Sequence, residues 1–105
     1  MTDEGSRFMR MLTFEDFTGR LNETFSVDFG ASSIDMVLTE ARPILGKVYP
    51  GLMRAPFNLL FSSKSQVVLP QRLYSFKNNG FGNADIFIVP VARNRDGIVY
   101  QAVFN

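Results

Sequence analysis

The chemically capable side chains in this 105-residue sequence are carboxylates, hydroxyls and amines, because it contains neither histidine nor cysteine. Thiolate metal sites, disulfides and cysteine nucleophiles are thereby excluded. The usual general base and the usual switch near neutral pH are missing too, so zinc, haem and Ser-His-Asp chemistry lose their ligands or their base. Asp28 and Asp35 flank the turn at Gly30-Ala31-Ser32, where two carboxylates could hold a hard cation or share a proton. No apolar pocket accompanies them in the sequence, and solvated acids on polar strand faces account for both. Lys47 and Lys64 would act as bases only if buried, and each lies among turn residues. Gly80-Phe81-Gly82 lacks the Lys-Ser/Thr and the helix that a phosphate loop needs. The reading is a non-enzyme with no catalytic residues, no cofactor and no metal.

The elements that would position these groups are mostly strands. Residues 13–21 read as a short helix of two turns at most: Thr13 is a good N-cap, Asp16 completes a capping-box-like pair, and Phe14, Phe17 and Leu21 share a face. Phe25, Val27 and Phe29 then alternate with Thr24, Ser26 and Asp28, and Ile34, Met36 and Leu38 alternate with Asp35, Val37 and Thr39. Phe57, Leu59 and Phe61 form the apolar face of the next strand. LPQRLYSF follows, with Pro70 near its start. Asn79-Gly80, Gly82-Asn83 and Asp96-Gly97 offer hairpin chemistry. The strand ADIFIVPV is apolar on both faces from Ile86 to Val91, which marks it as the most buried, with a bulge or an unpaired edge expected at Pro90. Ile98, Tyr100, Ala102 and Phe104 face away from Val99, Gln101 and Val103 in the last strand.

Six such strands, several apolar on both faces, call for a closed architecture or for a sheet completed by a second copy of the chain. The fold class expected is all-β: a six-stranded antiparallel barrel or barrel-like sandwich with one short N-terminal helix. Residues 1–10 are expected to be a disordered lead, and residues 11–105 a single β domain. Eleven phenylalanines and no tryptophan point to a large dry core. Residues 1–50 hold eight carboxylates against five basic residues, whereas residues 51–105 hold six basic residues against two acidic. The basic side chains of the second half are spread thinly over turns and strand ends, so a solvated rim explains them and no nucleic-acid partner is expected. There is no run of apolar residues long enough to span a membrane and no signal-peptide core, which leaves a soluble cytoplasmic product as the expectation.

Residues 43–56 are the irregular part. Three prolines and two glycines break any regular element there, yet Ile44, Leu45, Val48, Tyr49, Leu52 and Met53 keep it apolar. Long loops in small domains are uncommon and often functional. Two readings stand: a covering loop that closes one end of the sheet, or an exposed recognition loop. In the second, Tyr49, Leu52, Met53 and Arg54 are the candidate partner-binding residues.

The segments LTFEDFTGRLNETFSV, RAPFNLLFSS, LPQRLYSFKNNGFGNADIFIVPV and DGIVYQAVFN resemble a family of small uncharacterised bacterial proteins of about this length. That family has a PFSLLF-like strand and a YEAVFN-like end, matched here by Pro56 to Phe61 and by Tyr100 to Asn105. The resemblance assigns no catalytic residue. It implies an accessory or assembly role near phage-tail-collar-like proteins. The function expected is therefore a non-enzymatic protein-binding or assembly module whose partner is another protein or a second copy. The alternative is a carrier of a small apolar ligand, which requires Phe25, Phe29, Phe57, Phe61, Phe87 and Phe104 to ring a void. An enzyme of unusual carboxylate or lysine chemistry ranks third.

Overall fold

The hairpin turns are where sequence chemistry becomes backbone geometry. The Phe29 N–H donates to the Ser32 carbonyl at 2.9 Å, and Gly30 takes the positive φ of 94° that closes the first turn. At the second, the Asn78 side-chain oxygen accepts from the N–H groups of Gly80 at 3.0 Å and Phe81 at 2.9 Å. At the third, Asn94 accepts from Asp96 N–H at 2.8 Å. Asn is suited to this because its short amide mimics a backbone turn. The structure, a computed structural model, describes residues 11–46, 51 and 54–105. The expected lead over residues 1–10 lies outside the described residues.

The elements are a helical turn α1 (Glu15–Thr18) and strands β1 (Thr24–Asp28), β2 (Ser33–Pro43), β3 (Phe57–Ser63), β4 (Arg72–Asn78), β5 (Gly82–Asn94) and β6 (Gly97–Phe104). Every strand pairs antiparallel with two neighbours in the order β1-β2-β3-β6-β5-β4, and β4 returns to β1. All six thus belong to one sheet closed into a ring, which excludes a two-sheet sandwich. The expectation of a true β-barrel is corrected as well. The closing ladder spans only three residue pairs, Ser26↔Lys77, Val27↔Phe76 and Asp28↔Ser75, while β3 and β6 share seven. Two bulges, between Leu38 and Glu40 and between Pro90 and Ala92, further break the regular stagger. The second decides between the bulge and the unpaired edge expected at Pro90 in favour of the bulge.

One face of each strand fills the ring. Phe25 and Val27, Met36 and Leu38, Phe57, Leu59 and Phe61, Phe76, Ile86 and Ile88, and Tyr100 are all fully buried. Phe25 meets Phe61 edge-on at 5.6 Å and Phe76 at 6.3 Å, and Phe61 meets Phe76 at 4.9 Å. α1 covers one end: Phe17 is buried against Phe57, Phe81 and Phe104 at 5.1–6.0 Å. The Asp16 carboxylate accepts from the Thr13 N–H at 2.8 Å, but the N-cap is Phe14 rather than Thr13 and no side chain caps the helix. The helix stops at Thr18, before Gly19, and Leu21 is exposed rather than on the Phe14–Phe17 face.

Three further expectations are corrected. β5 is not the most buried strand: its residues alternate between core and solvent, and Phe87 and Val91 are half exposed. A ring has a single interior, so an apolar second face on β5 turns outward. β3 is buried at every second position along its whole length. Of the six phenylalanines proposed for the interior, Phe25, Phe57 and Phe61 are fully buried, Phe29 and Phe104 only partly, and Phe87 points out. Finally, β4 starts at Arg72 rather than at Leu69. The Leu69 N–H donates to the buried Tyr100 hydroxyl at 3.0 Å, and the Tyr74 hydroxyl donates to the Pro70 carbonyl at 2.6 Å. These two bonds commit the backbone there to side chains instead of a ladder.

Gly97 is required by close approach. It has φ of 134°, and a Cβ there would collide with the Ser63 carbonyl and lie 2.9 Å from Lys64 Cα. Gly97→Ala is expected to lower the urea midpoint by an amount equivalent to roughly 3 kcal/mol, combining backbone strain with steric overlap. Tyr100→Phe, which leaves the Leu69 N–H unpaired, is expected to cost about 1–3 kcal/mol in the same measurement.

Candidate functional site

Among the groups capable of chemistry, the carboxylates are dispersed. Asp28 faces Ser33 and Asp35 faces Ser26 across the β1–β2 ladder, so the two acids are not directly opposed. Asp28 pairs with Lys77 at 3.2 Å across the closing seam. Glu40 pairs with Arg42, and Glu23 with Arg20 at 3.2 Å. Among the described residues no three Asp or Glu side chains gather where they could hold a metal.

Of the four candidate partner-binding residues, Tyr49, Leu52 and Met53 lie outside the described residues, and Arg54 is described. Arg54 is half-buried at the end of the ring that α1 covers. Its Nη1 donates to the Leu12 carbonyl at 2.8 Å and its Nε to the main-chain oxygen of Asn105 at 3.3 Å. Its guanidinium carbon stands 5.1 Å from the Phe104 ring centre and 6.0 Å from that of Phe57. Phe57 and Phe104 are register partners on β3 and β6, and their rings stack at 4.5 Å with only 8° between planes. Parallel rings bring like quadrupoles together, and a cation near their faces offsets that repulsion. The described contacts of Arg54 are thus internal and hold residue 12 beside residue 105.

The surface that sequence reasoning missed is the outer face of β4, β5 and β6. Leu73 and Phe87 face each other across the β4–β5 ladder and are 55% and 50% exposed. Val91, two positions beyond half-buried Val89 on the same strand, is 51% exposed, and Val103 on β6 is 50% exposed. Val89 faces Gln101, which puts Val103 two residues along β6 on the side toward Phe87. Leu73, Phe87 and Val103 therefore share one outer surface, while Val91 falls in the bulge between Pro90 and Ala92, where the alternation is broken. The signal was present in the sequence as the second apolar face of Ile86 to Val91, and it was read as burial.

Fold and surface together define a small all-β domain: an antiparallel ring filled by aromatic rings, closed at one end by a helical turn, with an apolar stripe outside. No helix among the described residues is long and apolar enough to cross a membrane. Residues 12–104 match the model of the DUF6916 family, described as a domain of unknown function, and the chain belongs to that family. This agrees with the resemblance to a family of small uncharacterised domains. No curated protein and no solved structure matches the chain.

Arg54→Ala removes two hydrogen bonds and the cation beside the stacked pair. We expect a loss of about 2 kcal/mol in denaturant unfolding. Arg54→Lys should recover less than half of it, because a single ammonium lacks the planar fork that reaches both carbonyls.

Proposed function

We propose that this chain is a non-enzymatic protein-binding or assembly module, and that its contact surface is the outer face of β4, β5 and β6. The observation that carries this is the exposure of Leu73, Phe87 and Val103 together on one sheet face. Isolated exposed apolar residues are ordinary on any protein, but several grouped on one rigid surface favour association. The strands beneath are held on both sides, so such a face docks with little ordering cost. The partner is another protein or a second copy of the chain. The resemblance read from the sequence adds a partner class, a phage-tail-collar-like protein met in the cytoplasm of a bacterium. The carrier alternative has no comparable support, since the rings that would have to stand apart meet one another at 4.9–6.3 Å.

Two measurements test this reading. Sedimentation velocity over a wide concentration range, on wild type and on Phe87→Lys, should show association that the variant loses if the partner is a second copy. If both sediment as monomers, a photo-crosslinking residue at Leu73 should capture a defined partner in cells, and Phe87→Lys should abolish the capture. Monomers in solution together with no crosslink beyond that of a control probe at Thr18 would remove the proposal.

A further inference from the structure

The tip of the β4–β5 hairpin carries a dipeptide with chemistry of its own. Of the seven asparagines in the chain, Asn79 alone is followed by glycine. The order matters because a main-chain nitrogen can attack the side-chain carbonyl of the residue before it, and glycine has no Cβ to obstruct the approach. Asn79 and Gly80 are both exposed, just beyond the last ladder pair Asn78↔Gly82. The Asn79 amide has no hydrogen-bond partner among the described residues, so it can turn toward Gly80.

The nucleophile, in contrast, is held. The Gly80 N–H donates to Asn78 Oδ1 at 3.0 Å, and the Phe81 N–H donates to the same oxygen at 2.9 Å. The other end of that amide fixes its orientation: Nδ2 donates to the Glu23 carboxylate at 3.1 Å and to the Thr24 carbonyl at 3.0 Å. With two acceptors on the β1 side and two donors on the turn side, only one orientation of the amide satisfies all four. Glu23 is itself held by Arg20 at 3.2 Å. An oxygen that accepts from an N–H stabilises the protonated nitrogen, whereas ring closure needs that proton removed.

We infer that Asn79-Gly80 is a site of spontaneous main-chain modification, at which Asn79 is converted to aspartate and isoaspartate while Asn78 slows the reaction by restraining Gly80. In the first step the Gly80 nitrogen bonds to Asn79 Cγ and the Cγ–Nδ2 bond breaks. The Gly80 proton leaves with the amide nitrogen as ammonia. Water then opens the cyclic imide at either carbonyl, giving aspartate in the ordinary chain or isoaspartate with an extra methylene in the main chain. Either product places a carboxylate at a tip that a cation already covers, since a Cβ on Gly80 would lie 2.6 Å from Arg20 Nη1. The isoaspartate also lengthens the path from Asn78, tied to β1, to Phe81, whose ring is buried against Phe17 at 5.1 Å and Phe25 at 5.3 Å. Modification of an exposed tip therefore reaches the end of the core that α1 covers.

The test incubates the 105-residue chain in mildly alkaline buffer and follows the digest peptide containing Asn79 by mass spectrometry. Chromatography separates its aspartyl and isoaspartyl forms. A linear synthetic peptide of residues 72–86 gives the unrestrained rate. Folded wild type is expected to convert about tenfold or more slowly than this peptide, and Asn78→Ala to convert about fivefold or more faster than wild type, as the bond to Gly80 is lost. Glu23→Ala, which frees one end of the Asn78 amide, should accelerate conversion by a smaller factor and carries the test should Asn78→Ala fail to fold. Tyr100→Phe, weakened at the opposite end of the ring, controls for general loosening and should convert as wild type does. Equal rates in folded chain and peptide would overturn the inference. So would no acceleration by either latch variant, equal acceleration by Tyr100→Phe, or conversion centred on another asparagine.

Discussion

Between β1 and β4 the ring is closed by three facing pairs, and the architecture depends on that seam. With the seam formed, each strand has two neighbours over part of its length and the molecule has one inside. Without it, β1 and β4 would be long bare edges, and Phe25 and Phe76 would face water. The seam is short because β1 has only five residues and its ladder with β4 ends at Asp28. Three side-chain contacts reinforce it. Phe25 meets Phe76 inside, Asp28 pairs with Lys77 outside, and the Asn78 amide donates to the Thr24 carbonyl at 3.0 Å and to Glu23 at 3.1 Å just past the last ladder pair. Apolar packing within and polar contacts without thus compensate for backbone pairing that the strand lengths do not allow.

Closure also explains how the polar atoms of the irregular segment between β3 and β4 are satisfied. That stretch crosses the end of the ring opposite α1 without a ladder of its own. Tyr100 reaches it from the core, accepting from Leu69 and donating to the Val67 carbonyl at 3.4 Å, while Tyr74 holds Pro70. A phenylalanine at either position would fill the same space and leave a main-chain group unpaired. The two tyrosines are therefore core residues by their rings and loop anchors by their hydroxyls. Among the described residues no buried side-chain nitrogen or oxygen lacks a partner.

Much of this was legible in the chain. Period-two alternation located all six strands, because in a sheet with one wet face the inward residues must be every second one. The turn chemistry of Asn78 to Gly82 and of Asn94 to Gly97 set the hairpins and hence the neighbours. What alternation does not encode is whether a second apolar face is covered, and β5 was misread on that point: Phe87 and Val91 have the composition of a doubly buried strand and the position of a surface. The start of β4 was misplaced for a related reason. Leu69 and Pro70 suit a strand locally, but hydroxyls from residues far along the chain capture their backbone. Closure was expected, but which strands it joins was not legible, because β1 and β4 are separated by two others in sequence and no local signal records such a pairing. As for the candidate residues, Arg54 was singled out as a surface contact, whereas its described bonds are to Leu12 and Asn105; only the three-dimensional register of Phe57 on Phe104 shows why a guanidinium belongs there.

That guanidinium has a topological consequence. One side chain reaches the backbone of residue 12 and of residue 105 at once, so the path into the ring and the path out of it run side by side. A domain arranged in this way can be spliced into a surface loop of a larger protein with both junctions at nearly the same point, leaving the host continuous. By the same geometry, the order in which the strands are connected is not essential to the ring. A circular permutant that links residue 105 to residue 12 and opens new ends at Asn79–Gly80 keeps every ladder, every inward ring and the Arg54 clamp in place. It exchanges the β4–β5 hairpin for a link from β6 to the segment before α1.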